Sequence, residues 1–232
     1  MVQTIDVMNL TSIEANAKLS ELVGTGEKVV ITHPHGMHNL AINLQGELEI
    51  EVKGSTGFYT GGFMEGPTVV IDGNAGWYTA DNMHGGTIVV EKNSGSNLAP
   101  TMMKGVVVVR GNAGSRIAYG LRGGTVIVGG NVGMMAGKMM LNGRVVILGD
   151  AGEQTGESMY GGKVFVGGKI ASLGANVDEA KVSDEDIEVI APILQKWGLN
   201  ADVSKFTAVV PRPGKHTYVL FRPKHKLAEV SR

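Results

Sequence analysis

The chain has 232 residues, enough for a substantial core, and its 21 basic residues almost balance its 22 acidic ones, for a formal net charge of −1. This balance gives no long-range attraction to nucleic acid or an anionic membrane, and no segment approaches the roughly 18 apolar residues of a membrane span. The lack of cysteine excludes disulfides, thiolate metal sites and a cysteine nucleophile in this chain. The N-terminal residues lack the apolar stretch of a secretory signal, so we expect a cytoplasmic protein.

Residues 1–45 predict an N-terminal cap with one helix and two strands. The helix extends from Ser12 to Leu22, and residues 27–44 are typical of a strand, a tight turn at Pro34–Gly36 and a second strand. Imidazoles at this turn could present metal ligands, but nothing acidic stands beside them in the sequence. We therefore favour a structural or interface role for these residues, which are His33, His35 and His38.

Glycine is unusually frequent in the middle of the chain and recurs there at a fixed step. The sequence has 35 glycines, about twice the average share. One column repeats every 19 residues without an insertion: Gly57, Gly76, Gly95, Gly114, Gly133 and Gly152. Such glycines indicate the corners of successive coils, where they permit either a positive φ or a close backbone approach. The period excludes hexapeptide helices, and the corners lack the Asp that calcium-binding nonapeptide repeats place in every turn.

Apolar residues keep the same 19-residue step and predict one short buried strand in every coil. Two columns, two residues apart, begin at Ile50 and Val52, so their side chains share one face of each strand. A further interior column contains Met64, Met83, Met102, Leu121, Met140 and Met159. We therefore predict an all-β fold, a single-stranded right-handed parallel β-helix over residues 46–175, whose coils bury their apolar faces only by stacking.

The column between the two core columns faces outward and should be polar, yet it is largely apolar. After Glu51 it contains Val70, Val89, Val108, Ile127, Val146 and Phe165. An apolar column of this length must be covered, either by the terminal segments of the chain itself or by a partner subunit. The six residues are therefore candidate interface residues.

Residues 176–232 predict a C-terminal helix followed by an extended, basic tail. Ser183 is a suitable N-cap, acidic residues follow it, and Gly198 ends the helix, although Pro192 would kink the helix or shift its start. We expect the helix to close the open end of the solenoid. The tail extends from Phe206 to Arg232.

No catalytic constellation is visible in the sequence. The candidate residues are scattered over different coils: Asp72, Asp81, His84 and Asp150. A stand-alone β-helix lyase or hydrolase would need a groove lined with charged residues. The nearest approach is a column of Lys53, Asp72, Glu91 and Arg110, which ends in Gly129 and Leu148. We predict no catalytic, cofactor or metal residue in this chain.

The repeats resemble the GXGXG family of β-helix domains. The similar segments are ADNMHGGTIVV at 80–90, GNAGSRIAYGLRGGTVIVGG at 111–130 and the stretch at 149–175, with THPHGMHNLAINL at 32–44 in addition. In this family the domain forms the C-terminal part of the large subunit of glutamate synthase. It also occurs as a separate subunit of N-methylglutamate synthase and as the C subunit of formylmethanofuran dehydrogenase.

The resemblance implies a non-catalytic subunit that positions other subunits in a complex. The flanking segments are more similar to the N-methylglutamate synthase type, which implies a glutaminase-like partner and an FMN-dependent, glutamate-synthase-like partner. FMN and an iron–sulfur cluster would then belong to a partner subunit. The alternatives are a subunit of formylmethanofuran dehydrogenase or a stand-alone β-helix subunit of glutamate synthase.

Overall fold

The computed structural model describes residues 1–213, which form a solenoid of stacked coils with a helix near each end. Two α-helices are present in this part of the chain, α1 at Ser12–Leu22 and α2 at Asp184–Lys196, and a short 3-10 helix lies at Val203–Lys205. The strands are β1 Val2–Asp6, β2 Lys28–Thr32, β3 Glu49–Lys53, β4 Thr68–Ile71, β5 Thr87–Val90, β6 Val106–Val109, β7 Thr125–Val128, β8 Arg144–Ile147, β9 Lys163–Val166, β10 Val177–Lys181 and β11 Thr207–Pro211.

The strands form one continuous sheet in which β1 to β9 follow chain order and pair in parallel. Pairing keeps the 19-residue step, so that Val107 lies beside Val126 and Val126 beside Val145. At the far end β11 adds to β9 in the antiparallel sense, and β10 adds to β11 as the last strand. The predicted all-β parallel β-helix is therefore confirmed, and β1 and β2 extend its sheet into the N-terminal segment.

The interior of the solenoid is filled by the columns that the sequence predicts. The inward valines and isoleucines of β3 to β9 are buried, and so is the complete methionine column from Met64 to Met159. The helix α1 closes the N-terminal end because Ala15 and Leu19 belong to the same buried cluster as Leu40 and Leu44. Its N-terminus has a complete capping box, in which Thr11 and Glu14 bond each other's backbone N–H groups.

The predicted second strand within residues 27–44 is wrong, because the backbone after Pro34 follows the left-handed pattern of the coils. Three alternate residues in each of seven successive coils have φ between +49° and +74°, beginning with Asn39, Ala41 and Asn43. A left-handed non-glycine residue costs about 1–2 kcal/mol. Hydrogen bonds between coils offset this cost; the Ala99 N–H, for example, donates to the Thr79 carbonyl at 2.7 Å.

The glycine column from Gly57 to Gly152 serves close backbone approach and does not supply positive φ. None of its six residues is in the left-handed region. A Cβ built on Gly133 would lie 2.8 Å from the Ser115 nitrogen, and one on Gly152 would lie 2.7 Å from the Gly133 carbonyl carbon. Of the two roles that the sequence allowed, the structure selects the steric one.

A ladder of amide side chains links successive coils along one corner. The Oδ1 atom of Asn112 accepts the backbone N–H of Asn131 at 2.7 Å, and Asn131 accepts that of Asp150 at 2.8 Å. The ladder also includes Asn74 and Asn93. Each side chain therefore satisfies a backbone donor that the corner would otherwise leave without a partner.

The helix α2 lies along the outer face of the sheet, so the predicted closure of the solenoid end by this helix is wrong. Near its start, Asp186 forms an ion pair with Lys163 of β9 at 2.7 Å. After its last residue, the Trp197 carbonyl accepts a hydrogen bond from Arg110, which follows β6, at 2.7 Å. The helix therefore passes back over several coils, while β10 and β11 occupy the C-terminal end of the sheet.

Pro192 lies inside α2 and does not shift its start, since the helix begins directly after Ser183. The first part of the predicted tail, Thr207–Pro211, is strand β11. Residues 214–232, with the basic residues at 215–226, lie outside the described residues.

Candidate functional site

The apolar outward column is covered by the C-terminal segment of the chain itself. Five of its members are buried in one cluster with Ile190 and Leu194 of α2, and with Phe206 and Ala208 further along; these five are Val89, Val108, Ile127, Val146 and Phe165. Val70 is half-buried at the edge of the same cluster. Of the two explanations for this column, the structure shows the intramolecular one.

Polar contacts hold the two ends of α2 on this face. Burial alone would raise the pKa of Asp186, but hydrogen bonds from Lys163 and Ser183 outweigh that effect and hold the pKa below its ordinary value. At the other end, Arg110 pairs with Glu91 at 2.7 Å and also donates to the Trp197 carbonyl. Arg110 is thus used to fix the helix.

The side chains of the charged column that begins at Lys53 form ion pairs with neighbouring residues. Lys53 pairs with Glu51 and lies 3.9 Å from Asp72. Hydrogen bonds from Lys28 and Lys53 lower the pKa of Glu51 to about 2. On the outer face of β3 and β4, paired charges at Glu51 and Lys53 therefore lie beside Val70, which borders the cluster under α2.

The remaining polar candidates of the sequence stay apart. Asp150 belongs to the corner ladder, where its carboxylate accepts the Lys169 N–H at 2.7 Å. Asp81 is half-buried, and burial raises its pKa. Within residues 1–213, no group of three or more His, Cys, Asp or Glu side chains gathers in an arrangement suited to a metal ion.

The three histidines of the N-terminal turn lie close together but make different contacts. The His33 Nδ1 atom is 3.1 Å from the Asp6 carboxylate of β1, and the His33 and His35 rings stack with centroids 5.9 Å apart. The His38 Nδ1 atom accepts the Phe58 backbone N–H at 2.8 Å. The sequence reasoning missed Asp6, because 27 residues separate it from His33 and only the pairing of β1 with β2 brings them together.

A cavity of about 420 Å³ opens beside this turn. Its lining combines imidazoles with apolar side chains: His33, His35, His38, Met8, Leu10 and Met37. Hydrogen bonding by the Met8 backbone N–H, and then by His33, holds the pKa of Asp6 below its ordinary value. The turn is thus tied to β1 by a carboxylate–imidazole contact at the rim of a partly apolar cavity.

A stack of rings continues from His38 along the rod, and the sequence reasoning missed it. The His38 ring packs on Phe58 in a tilted arrangement, with centroids 4.7 Å apart. Phe58 stacks on Trp77 at 5.7 Å, and Tyr59 stacks on Tyr78 at 4.9 Å. The sequence signal that could have revealed it is the 19-residue step from Phe58 to Trp77 and from Tyr59 to Tyr78.

The glycine column lies directly against the rings of this stack. A Cβ on Gly95 would lie 2.3 Å from the Trp77 ring, and one on Gly76 would lie 2.9 Å from the Phe58 ring. At these two positions the absence of a side chain on the glycine therefore leaves room for the aromatic ring of the preceding coil. Phe58 and Trp77 remain 42% and 52% exposed.

The geometry defines a class of protein: a parallel β-solenoid of 19-residue coils whose outer sheet face is covered by its own C-terminal helix. Within residues 1–213, neither helix combines the length and hydropathy needed to cross a bilayer. The chain belongs to the GXGXG motif family, whose pattern matches residues 4–208.

Comparison with solved structures gives the same fold in a multi-subunit enzyme. A chain of the formyltransferase/hydrolase complex (FhcABCD) from Methylorubrum extorquens, determined in complex with methylofuran, superimposes with a TM-score of 0.68. The two chains are 20% identical, and the match covers 85% of each. Among curated protein sequences no significant match is found.

Proposed function

We propose that this chain is a structural subunit of a multi-subunit enzyme, in which it holds catalytic subunits at a fixed separation. The observation that supports this best is the GXGXG match over residues 4–208, together with a fold shared with a chain of the formyltransferase/hydrolase complex, FhcABCD. Eleven strands at about 4.8 Å give a sheet about 48 Å long. Its in-register hydrogen bonds make such a rod a rigid spacer.

The first candidate complex is a glutamate-synthase-like amidotransferase of the N-methylglutamate synthase type. It requires a glutaminase-like subunit and an FMN-dependent synthase subunit, with the FMN and an iron–sulfur cluster in a partner. The support is the resemblance of residues 32–44 and 172–198 to the stand-alone subunits of that type.

The second candidate is a subunit of a formylmethanofuran-type or formyltransferase/hydrolase complex. The observation that favours it is the structural match to a chain of the complex determined with methylofuran. At 20% identity this match supports the fold and the subunit role more than the reaction.

A pull-down of the full-length, tagged chain from native extract separates these candidates. Recovery of a glutaminase-like chain together with a larger chain and a flavin absorption spectrum supports the first. Recovery of molybdenum or tungsten and iron–sulfur partners, or of a formyltransferase, supports the second. Moving the tag to the other terminus controls for a blocked interface. A chain that is recovered alone with both tags, or that turns over a substrate by itself, would contradict the structural role.

A further inference from the structure

Within residues 1–213 the two edge strands of the sheet, β1 and β10, differ in the charges they carry. The last strand, β10, is protected by charge: it contains Asp178, Glu179 and Lys181, and Arg212 pairs with Asp178 at 2.6 Å. Charged side chains are a common protection of edge strands. The first strand, β1, is Val-Gln-Thr-Ile-Asp and has no basic residue and no proline.

The open backbone groups of β1 follow from its hydrogen bonds to β2. The Val7 N–H donates to the Thr32 carbonyl and the Lys28 N–H to the Met1 carbonyl, so the odd-numbered residues face β2. Because bonding alternates along a parallel pair, the N–H and C=O groups of Val2, Thr4 and Asp6 point away from the sheet. Within residues 1–213, no strand lies on that side of β1.

A groove borders this edge and is the size of a peptide side chain or two. It measures about 380 Å³ and lies between β1 and α1. Three of its lining residues, Ile5, Leu10 and Leu22, are apolar, and the other five are polar or charged: Gln3, Thr4, Asp6, Lys18 and Glu21. Lys18 is the one basic residue in the lining, against Asp6 and Glu21. A third carboxylate, Glu27, accepts a hydrogen bond from the Gln3 side chain of β1.

We propose that β1 is a docking edge for an extended segment of a partner subunit, and that this segment has small apolar residues at its centre and basic residues at its flanks. The added strand would take up the outward N–H and C=O groups of β1 and place alternate side chains in the groove beside α1. Its basic flanks would complement Asp6, Glu21 and Glu27. The proposal rests on the proposed role as a complex subunit and names the surface used there.

The test uses the full-length chain and a fluorescent peptide, Lys-Lys-Thr-Val-Thr-Val-Thr-Lys-Lys, followed by anisotropy. We expect saturable binding that weakens with salt, and at least tenfold weaker binding of the same core with Glu flanks. Thr4→Pro removes an outward donor without breaking a β1–β2 bond and should also weaken binding at least tenfold. Thr4→Val keeps the donor and should bind normally.

A second variant avoids any effect of proline on folding. Glu21→Lys, at an exposed site on α1, should weaken binding severalfold, whereas Glu188→Lys makes the same charge change at an exposed site on α2 and should not. Equal binding by the wild type and Thr4→Pro, or no binding by the wild type, would overturn the proposal.

Two further measurements on the isolated chain test whether the chain itself or a second copy covers the edge of β1. Full protection of the Val2, Thr4 and Asp6 amides from hydrogen exchange, without peptide, would mean that the chain covers its own edge. A dimer that Thr4→Pro converts to a monomer would mean that a second copy occupies it. Either result would overturn the assignment to a partner subunit. Because these experiments need no partner, their failure is distinguishable from failure of the pull-down.

Discussion

Replacing Gly133 with alanine tests the steric role of the glycine column most directly. The added Cβ would lie 2.5 Å from the Ser115 Oγ, 2.8 Å from its nitrogen and 3.0 Å from its Cα. The hydroxyl can rotate away, but the two backbone atoms can separate from the Cβ only if adjacent coils move apart by about 0.5–0.7 Å, since such contacts are stable near 3.5 Å. This movement would stretch the hydrogen bonds from the Gly133 N–H to the Ala113 and Gly114 carbonyls, which are already 3.3 Å and 3.2 Å long.

The expected loss of stability combines two effects. Overpacking costs about 1–3 kcal/mol, and weakening of the hydrogen bonds adds about 1 kcal/mol. The lower entropy of the unfolded alanine chain offsets about 0.4–1 kcal/mol, which leaves a net destabilisation of about 1–3.5 kcal/mol. For a chain of this size the melting temperature should fall by roughly 2–14 °C.

Gly85→Ala is the matched control for this substitution. Gly85 also has no positive φ, and its nearest contact from a new Cβ would be an ordinary 3.5 Å to the Glu65 side chain. We expect this variant to be as stable as the wild type or slightly more stable. Thermal and urea unfolding followed by circular dichroism would measure both variants. If Gly133→Ala were as stable as Gly85→Ala, the close-approach explanation of the column would be wrong.

Three further predictions address the ladder and the covering helix. Asn112→Ala removes the acceptor of the Asn131 N–H and should cost about 1 kcal/mol in urea unfolding, whereas Asn112→Asp keeps an acceptor and should cost little. The pKa of Asp186 is lowered in the folded state, so its contribution to stability is present above the unfolded pKa of about 3.9 and is lost as the pH falls through the folded value. Acid titration of hydrogen exchange in α2 should therefore show release at low pH, and Lys163→Met should flatten this dependence; an unchanged profile would contradict it. Leu194→Ala should cost about 2–4 kcal/mol, selectively expose α2 to exchange and leave the inner strands protected; uniform exchange would refute the local role of this residue.

The repeated part of the fold could be predicted because the same physical demand recurs in every coil. Inward positions such as Val107 and Val126 must be apolar at each level, so their 19-residue step reveals the strands and their register together. The helix at Asp184–Lys196 was predictable for a local reason, since Ser183 and the acidic first turn form its N-terminus. Both signals are contained in short stretches of sequence.

Features that depend on contacts between coils were not predictable in the same way. Tyr59, Arg116 and Met135 adopt a left-handed conformation that their own side chains disfavour, because hydrogen bonds to adjacent coils outweigh the local preference. The predicted position of α2 was wrong because the sequence of an amphipathic helix is the same whether the helix covers the end of a solenoid or its apolar side. The contact of His33 with Asp6 depends on pairing between β1 and β2, which no local pattern indicates.

The unbroken 19-residue register has an evolutionary and engineering consequence. Since each coil repeats the bonding of the one before it, the rod can change length only by whole coils of 19 residues, and a coil added or removed between Gly95 and Gly133 would also change the span between Arg110 and Lys163, which hold the two ends of α2. The distance between whatever is attached at the two ends would then change only in increments of about 4.8 Å. The length of such a rod is set by the number of its coils and not by changes within any one coil.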